Sequence, residues 1–180
     1  MTQKPMISFR KIDLSAELDC DRIAGWMNDR EIRHLFMKFP DEQSTRIVVS
    51  STGLLRRFRS ANDTERTEMI VLGGRSMGFC SVEIDPPKKR FPDTKTAWLD
   101  LVIGEKTARG KGFSRRVLYH LESEARAMGA GFAEVGVFEF NVIAHYLYES
   151  TGYVEFERLP DATWWDGQTW TDIRLFKSLM

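Results

Sequence analysis

The chain has 180 residues, of which 42% are hydrophobic and 29% are charged, values typical of a globular protein that buries its own core. Lysine and arginine together number 26, as do aspartate and glutamate, so the formal net charge is zero. Because no global field attracts nucleic acid or an anionic membrane, we expect neither as a partner, and any anion site must be local. The length predicts one domain over residues 1–180.

The N-terminus and the two cysteines bear on the cellular setting. The segment "MTQKPMISFRKIDL" lacks the apolar core of a signal peptide, and no apolar run reaches the ~20 residues of a membrane span. Cys20 and Cys80 lie far apart and have no metal-ligand spacing, so each is interpreted as a small buried hydrophobe. We therefore expect a cytoplasmic protein without a metal.

The first third of the chain predicts a strand followed by helices. Residues 6–12 alternate loosely, as a strand does. Ser15 is a candidate cap for a helix through "ELDCDRIAGWMND", whose apolar face is formed by Leu18, Ile23, Trp26 and Met27. A short helical piece follows in "REIRHLF". After Pro40, a helix is expected over residues 42–60, with its arginines on the outer side.

The middle of the chain predicts strands. "EMIVLGG" and "SMGFCSVEID" flank a Gly73–Gly74 turn and form a hairpin signal. "PPKKRFPDTK" reads as an exposed loop. "TAWLDLVIG" has few polar residues, which favours a position in the middle of a sheet.

The last part of the chain alternates helices and strands. A helix from Lys111 to Met128 has one apolar face, with Glu122 and Arg126 paired on the other side, and Gly129 ends it. The strand "FAEVGVFE" and a short helix "NVIAHYLYEST" follow. "YVEFERL" and "TWTDIRLFKSL" form a closing hairpin around "PDATWWDGQ". This order predicts an α/β (α+β) fold whose central mixed sheet is mostly antiparallel and is flanked by helices.

The most informative stretch is "IGEKTARGKGFS", residues 103–114, a basic glycine-rich turn between a strand and a helix. Backbone amides in such a turn bind phosphate. The nucleotide-triphosphate loop does not fit, because five residues separate Gly104 from Gly110 and Gly112 stands where Ser or Thr would bind magnesium. The dinucleotide fingerprint does not fit either, because its third glycine is replaced by Arg115.

A third pattern, R-x-x-G-x-[GA] at the start of a helix, fits from Arg109 to Ser114 except that Ser114 replaces Gly or Ala. Such a loop needs no metal, since a pyrophosphate lies on the turn amides at the positive end of the helix dipole. Glycines allow the backbone to approach closely, and Arg109 and Lys111 can add charge.

A second block, "NVIAHYLYESTGY", matches N-x-x-A-x-x-L-Y-E-x-x-G-[FY] at every fixed position. Together the two blocks resemble the GNAT superfamily of acetyl-CoA-dependent N-acetyltransferases. The segments "AGWMNDREI" and "WWDGQTWTDIRLF" are similar to those of the branch with ribosomal-protein alanine and spermidine N-acetyltransferases. The likeness covers most of the chain; its motifs are specific for acetyl-CoA and weak for the acceptor.

The resemblance implies how the chain binds its cosubstrate. A bulge in "LDLVIG" would free backbone N–H groups for the acetyl carbonyl and pantetheine. The implied cofactor-binding residues are Leu101, Val102, Ile103, Arg109, Gly110, Lys111, Gly112, Phe113, Ser114, Asn141 and Tyr148. Asn141 can also be a plain helix cap, and the two roles are compatible.

The reaction so implied is acetyl transfer to a primary amine through a tetrahedral intermediate. Tyr148 stands at the family's tyrosine position, and its hydroxyl would protonate the departing sulfur. Asp100 is the first candidate for the general base, because it adjoins the proposed bulge, and Glu83 is the second. Glu139 is a further candidate, and a water relay is the alternative to any single side chain.

Several questions stay open at this level. The acceptor is a protein N-terminus or a small amine, and a homodimer is compatible with the sequence. Trp164, Trp165 and Trp170 either line an acceptor cleft or pack the hairpin. The rival functions are a non-catalytic acyl-CoA-binding or sensor module and, more weakly, a magnesium-dependent nucleotide hydrolase.

Overall fold

A computed structural model describes residues 6–15, 17–93 and 95–180. The first five residues of the predicted domain, together with Ala16 and Thr94 in the predicted helix and loop, lie outside the described residues. The strands are β1 (Ile7–Lys11), β2 (Glu65–Leu72), β3 (Arg75–Ile84), β4 (Thr96–Ile103), β5 (Phe132–Phe138), β6 (Val154–Trp165) and β7 (Gln168–Ser178).

Four α-helices accompany these strands in the described part of the chain: α1 (Leu18–Asn28), α2 (Ser51–Arg59), α3 (Phe113–Ala127) and α4 (Val142–Glu149). Short 3-10 turns occupy Arg33–Leu35, Gln43–Arg46 and Lys106–Ala108. Among the described residues, none of the helices has both the length and the apolar character needed to cross a membrane.

The seven strands form one mixed sheet in the order β1-β2-β3-β4-β5-β7-β6, and the prediction of a mostly antiparallel mixed sheet is confirmed. Only β4 and β5 run parallel, and they pair over just three positions, from Thr96 with Phe132 to Trp98 with Glu134. Beyond Trp98 the two strands diverge, although β4 continues to Ile103 and β5 to Phe138. A wedge therefore opens in the middle of the sheet.

Alternation along the strands produces a core on each face of the sheet. On one face, Cys80 and Leu99 pack with the buried side of α3, where Val117, Leu118 and Leu121 lie. On the other face, Met69 and Val102 pack against α1 and α2 through Cys20, Ile23 and Leu54. Both cysteines are thus buried core residues, as predicted.

Helix α2 is shorter than the helix expected over residues 42–60. A 3-10 turn and an extended stretch containing Ile47, Val48 and Val49 precede it, because β-branched residues disfavour helix. The Ser50 hydroxyl caps the helix by accepting a hydrogen bond from Gly53 N. Ser15, the predicted cap of α1, instead donates its hydroxyl to Asp13. Leu18 was expected on the apolar face but is 57% exposed.

The expected pairing of Glu122 with Arg126 is present at 4.0 Å, but its expected position on the outer face was wrong, because a long-range ion pair buries Glu122. Glu122 of α3 is buried, and it accepts hydrogen bonds from Lys177 Nζ at 2.8 and 3.0 Å instead of lying on the outer face. The loop after β3 is mostly exposed, as expected, and hydrogen bonds to the sheet tie it down. The backbone N–H groups of Arg90 and Phe91 donate to the buried Glu134 carboxylate at 2.8 to 3.0 Å.

Candidate active site

A large cavity of about 1140 Å³ occupies the wedge between β4 and β5. Its walls include the diverging ends of both strands, from Asp100 to Ile103 on β4 and from Gly136 to Phe138 on β5. Since β4 has no ladder partner in β5 beyond Trp98, backbone groups on this edge are available to a ligand. The cavity also reaches the start of α3 and the inner side of α4.

The glycine-rich loop forms one end of this cavity. Gly110 and Gly112 have φ values of +72° and +75°, a conformation that favours glycine. Gly112 is the N-cap of α3, so the free amides of the first turn point out of the helix at its positive end. Gly110, Gly112, Ser114 and Arg115 all line the cavity, which places an anion-binding helix end beside the wedge.

Arg109, which was expected to add charge for a phosphate, lines the cavity and is also bonded to the protein itself. Its guanidinium donates to the carbonyl groups of Ile103 and Gly104 and pairs with Asp29 at 3.2 Å. It also lies 3.4 Å from Glu31, so it ties the loop to the segment after α1. Lys111 is exposed, and neither it nor Phe113 is among the residues that line the cavity.

Arg115, which sequence reasoning did not select, also borders the cavity at this end, as Arg109 does. Its Nη2 donates to Ser150 Oγ at 3.0 Å, linking α3 to the end of α4. Arg115 lies in the first turn of α3 and follows the two glycines. Its position three residues after the N-cap was the available signal, because that turn faces any bound anion.

The predicted bulge in β4 is not present. The β3–β4 register runs without a shift from Gly78 opposite Ile103 to Ile84 opposite Ala97. The backbone groups that a bulge was expected to free are freed instead by the early end of the β4–β5 ladder. Leu101, Val102 and Ile103 all line the cavity.

Helix α4 brings Asn141 and Tyr148 to the cavity wall. The Asn141 side chain caps the helix by accepting from Ala144 N at 3.3 Å, and its Nδ2 donates to Leu35 O at 3.3 Å. Tyr148 is buried, and burial, followed by the charge of Asp100, raises the pKa of its hydroxyl well above the usual range. The hydroxyl therefore stays protonated at neutral pH.

The three candidate carboxylates are separated by the structure. Asp100 lines the cavity, where it accepts from Trp98 Nε1 at 2.8 Å and pairs with Lys88 at 3.2 Å. Glu83 lies 3.4 Å from the same Lys88 Nζ, but it does not line the cavity. Glu139 pairs with Arg158 at 3.5 Å on the surface. Asp100 is thus the candidate that borders the wedge.

The tryptophans near the C-terminus pack the hairpin, which was one of the two alternatives. Trp165 stacks on His34 with ring centroids 4.0 Å apart, and Trp170 meets Phe140 edge-on at 5.2 Å. The Trp164 backbone N–H donates to Phe39 O. The tryptophan that lines the wedge is Trp98, together with Asp172 and Arg174 of β7, and sequence reasoning assigned no role to these three.

Together, the diverging parallel strands and the glycine-lined helix end define an α/β fold with a split sheet and a helix N-terminus suited to an anion. The sequence model of the family described as "Acetyltransferase (GNAT) family" matches residues 21–153, so the chain belongs to this family. The resemblance inferred from the two motifs is confirmed, and the enzyme class is that of an acyltransferase. A sequence search of curated proteins gave no significant match.

Solved structures with the same fold cover nearly the whole chain. Spermidine N-acetyltransferase from Vibrio cholerae, solved with CoA and spermine, has a TM-score of 0.78 at 19% identity, over 96% of this chain and 95% of that one. Ribosomal-protein-alanine N-acetyltransferase from Brucella melitensis has a TM-score of 0.76 at 20% identity, over 95% and 99%. Salmonella typhimurium yncA, with its cofactor acetyl-CoA, has a TM-score of 0.76 at 18% identity, over 97% and 94%.

Proposed function

We propose that the protein transfers the acetyl group of acetyl-CoA to a primary amine by direct attack. The observation that supports this proposal most directly is that two structural features line the same cavity. These are the wedge between β4 and β5 and the glycine-lined N-terminus of α3. A pyrophosphate fits the helix end, and an extended amide-bearing arm fits the unpaired edge of β4.

The residues that would hold acetyl-CoA follow from these positions. The amides after Gly110 and Gly112 would bind its pyrophosphate, with Arg115 adding positive charge. The backbone of β4 from Leu101 to Ile103, which has no ladder partner in β5, would hold the pantetheine, and its outward N–H groups would donate to the acetyl carbonyl. When bound, acetyl-CoA supplies a thioester carbonyl, and N–H donors aimed at its oxygen stabilise the charge that develops there.

Tyr148 would act as the general acid, because burial keeps its hydroxyl protonated and it lines the same cavity. Asp100 is the candidate for accepting the proton of the amine, since it borders the wedge and its charge reaches Tyr148. Lys88 and Trp98 hold the Asp100 carboxylate by hydrogen bonds, which fixes its position. The apolar wall around Val137 and Phe138 would limit the access of water to the thioester.

The acceptor is a primary amine on a protein N-terminus or a small molecule. Solved relatives of the same fold are named for both kinds of acceptor, spermidine and a ribosomal-protein alanine. The alternative, a sensor that binds acyl-CoA without turnover, is less favoured. A buried tyrosine and a held carboxylate at the wedge serve a reaction, whereas binding alone requires neither.

The proposal is tested by thermal shift with acetyl-CoA, CoA, Mg-ATP and NAD at one concentration. A ligand at ~100 times its dissociation constant stabilises the folded state by about 2.7 kcal/mol. We expect a selective rise in Tm with acetyl-CoA and CoA, followed by release of free thiol in a screen of amines. A rise only with Mg-ATP or NAD would refute the assignment, and CoA binding without turnover of any amine would favour the sensor.

A further inference from the structure

A buried cluster of three charged side chains lies on the face of the sheet that borders the wedge. Arg174 of β7 donates from Nη1 to Glu134 Oε1 at 3.0 Å and from Nε to Asp172 Oδ2 at 3.0 Å. All three residues are buried. Two carboxylates share one guanidinium, so the cluster has a net charge of −1 when both are ionised, and a buried excess charge needs a compensating partner.

The carboxylates of Glu134 and Asp172 differ in how many of their oxygens accept hydrogen bonds. Glu134 also accepts the backbone N–H groups of Arg90 and Phe91, so both of its oxygens are bonded. Asp172 uses only Oδ2. Its Oδ1 has no hydrogen-bond partner among the described residues, although Asp172 is only 6% exposed. Burial accordingly raises the pKa of the Asp172 carboxyl, against the opposing effect of Arg174.

The unpaired oxygen faces a recess that is kept open by a glycine. A Cβ at Gly136 would lie 2.9 Å from both Asp172 Oδ1 and Trp98 Cη2. Asp172, Trp98 and Gly136 all line the cavity. Glu134 is the last β5 residue that pairs with β4, and Gly136 lies two residues further on. The recess is therefore at the apex of the wedge, the point where the two strands separate.

Four other charged groups surround this recess. Arg174 and Glu134 belong to the cluster itself. Lys38, in the segment after α1, is near enough for its charge to lower the pKa of the Asp172 carboxyl. Arg174 also lies over the Trp98 ring at 4.7 Å, as does Lys88 at 5.0 Å. Lys88 is already paired with Asp100 and Glu83, and Arg174 with Glu134 and with Oδ2 of Asp172. Lys38 also lines the cavity, but it makes no hydrogen bond to Oδ1. The open position beside Oδ1 is therefore suited to a positively charged donor.

We propose that the ammonium group of the acceptor is the missing partner of Asp172 Oδ1. Asp172 thus selects a primary amine that enters as a cation and positions its nitrogen at the apex of the wedge. An ammonium offers three donors and one positive charge, which satisfies the oxygen and neutralises the cluster. This inference rests on the proposed function and specifies its acceptor site.

The test measures binding at this recess before any acceptor is known. The protein saturated with CoA is titrated with n-butylammonium chloride, with 1-butanol as the neutral analogue of the same length and sodium chloride to match ionic strength. The readout is the further rise in Tm. We expect butylammonium, and not 1-butanol, to raise the Tm of the CoA complex. We expect Asp172→Asn to bind butylammonium at least about tenfold more weakly while retaining the response to CoA.

Two matched variants sharpen the result. Asp161→Asn makes the same change at an exposed carboxylate of the same hairpin and should leave butylammonium binding unchanged. Asp100→Asn makes it at the other carboxylate that lines the wedge. Loss of butylammonium binding in Asp100→Asn together with full binding in Asp172→Asn would overturn the inference and assign the ammonium to Asp100.

The outcomes separate this inference from the proposed function. If CoA stabilises the wild type but butylammonium does no more than 1-butanol, the function stands and the inference fails. If CoA itself has no effect, both fail. Should Asp172→Asn not fold, Gly136→Ala narrows the recess and removes no charged group. That variant is expected to bind CoA and lose butylammonium, and unchanged butylammonium binding in it would contradict the proposal.

Discussion

At the residue scale, Tyr148 illustrates how burial prepares a group for its role. The motif in α4 was sufficient to select this residue, but only the structure shows that it is buried at the wall of the wedge. Removal from water destabilises the phenolate and raises the pKa of the hydroxyl, so the proposed general acid is protonated at neutral pH. For Asp172, in contrast, sequence reasoning indicated no role. Its proposed role depends on Oδ1, which has no hydrogen-bond partner among the described residues.

We predict that Tyr148→Phe lowers kcat by about 100-fold, the lower end of the range for loss of a general acid, while the affinity for acetyl-CoA stays the same. Tyr153→Phe is the matched control, since Tyr153 is also buried and its hydroxyl has no hydrogen-bond partner among the described residues. Steady-state kinetics and a binding titration on both variants give the answer. Equal turnover in Tyr148→Phe and wild type would remove Tyr148 as the acid.

At the element scale, the candidate site is formed by two local structures, the end of β4 and the start of α3. The end of β4 is held in place by close packing, because Gly104 stands against Trp26 and a Cβ there would come within 2.2 Å of the indole. The start of α3 depends on left-handed glycines, which turn the chain from β4 into the helix. The glycine-rich loop could be predicted from the sequence, since glycine, charge and helical pattern are local properties. The predicted bulge was wrong, because strand divergence depends on β5, which lies 29 residues further along the chain than Ile103.

We predict that Gly112→Val abolishes measurable acetyl-CoA binding. A β-branched residue at a φ of +75° forces the turn amides out of position and costs about 1–3 kcal/mol of strain. Gly167→Val is the control, since Gly167 has a φ of +82°, has open space around it, and lies in the β6–β7 turn. Both variants should lose similar stability in chemical denaturation, and only the first should lose the ligand-induced rise in Tm. Undiminished acetyl-CoA affinity in a folded Gly112→Val protein would contradict the placement of the pyrophosphate.

At the scale of the whole molecule, ion pairs connect elements that are distant in sequence. Arg10 of β1 bonds Asp19 of α1 at 2.7 Å, and Lys177 of β7 bonds Glu122 of α3. Hydrogen bonds from the Arg10 guanidinium hold the pKa of the Asp19 carboxyl below its usual range. The unfolded chain has an ordinary aspartate with a pKa of about 3.9. The stabilisation by Asp19 is therefore complete above about pH 5 and is lost as pH falls through the lowered folded-state pKa.

We predict that Asp19→Asn lowers the free energy of unfolding at pH 7 by about 1.5–3 kcal/mol, the usual contribution of hydrogen bonds to a charged group. The difference from wild type should shrink below pH 4, where protonation removes the same charge from the wild-type protein. Urea unfolding of both proteins from pH 3 to pH 7 measures this difference in the free energy of unfolding. Asp21→Asn, an exposed change in the same helix, should show no such trend. Parallel pH profiles for Asp19→Asn and wild type would show that Asp19 does not contribute in this way.

The sequence by itself determined most of the secondary elements, the mixed sheet, the glycine-rich turn and the family. These depend on alternation, glycine positions and contiguous motifs, which act over a few residues. The tertiary structure decided which of the candidate bases borders the wedge and that Arg109 ties the glycine-rich loop to the segment after α1. It also decided that Trp98, Asp172 and Arg174 meet at the apex of the wedge. The physical reason is that burial and charge pairing arise when strands distant in sequence become neighbours, as β4, β5 and β7 do here.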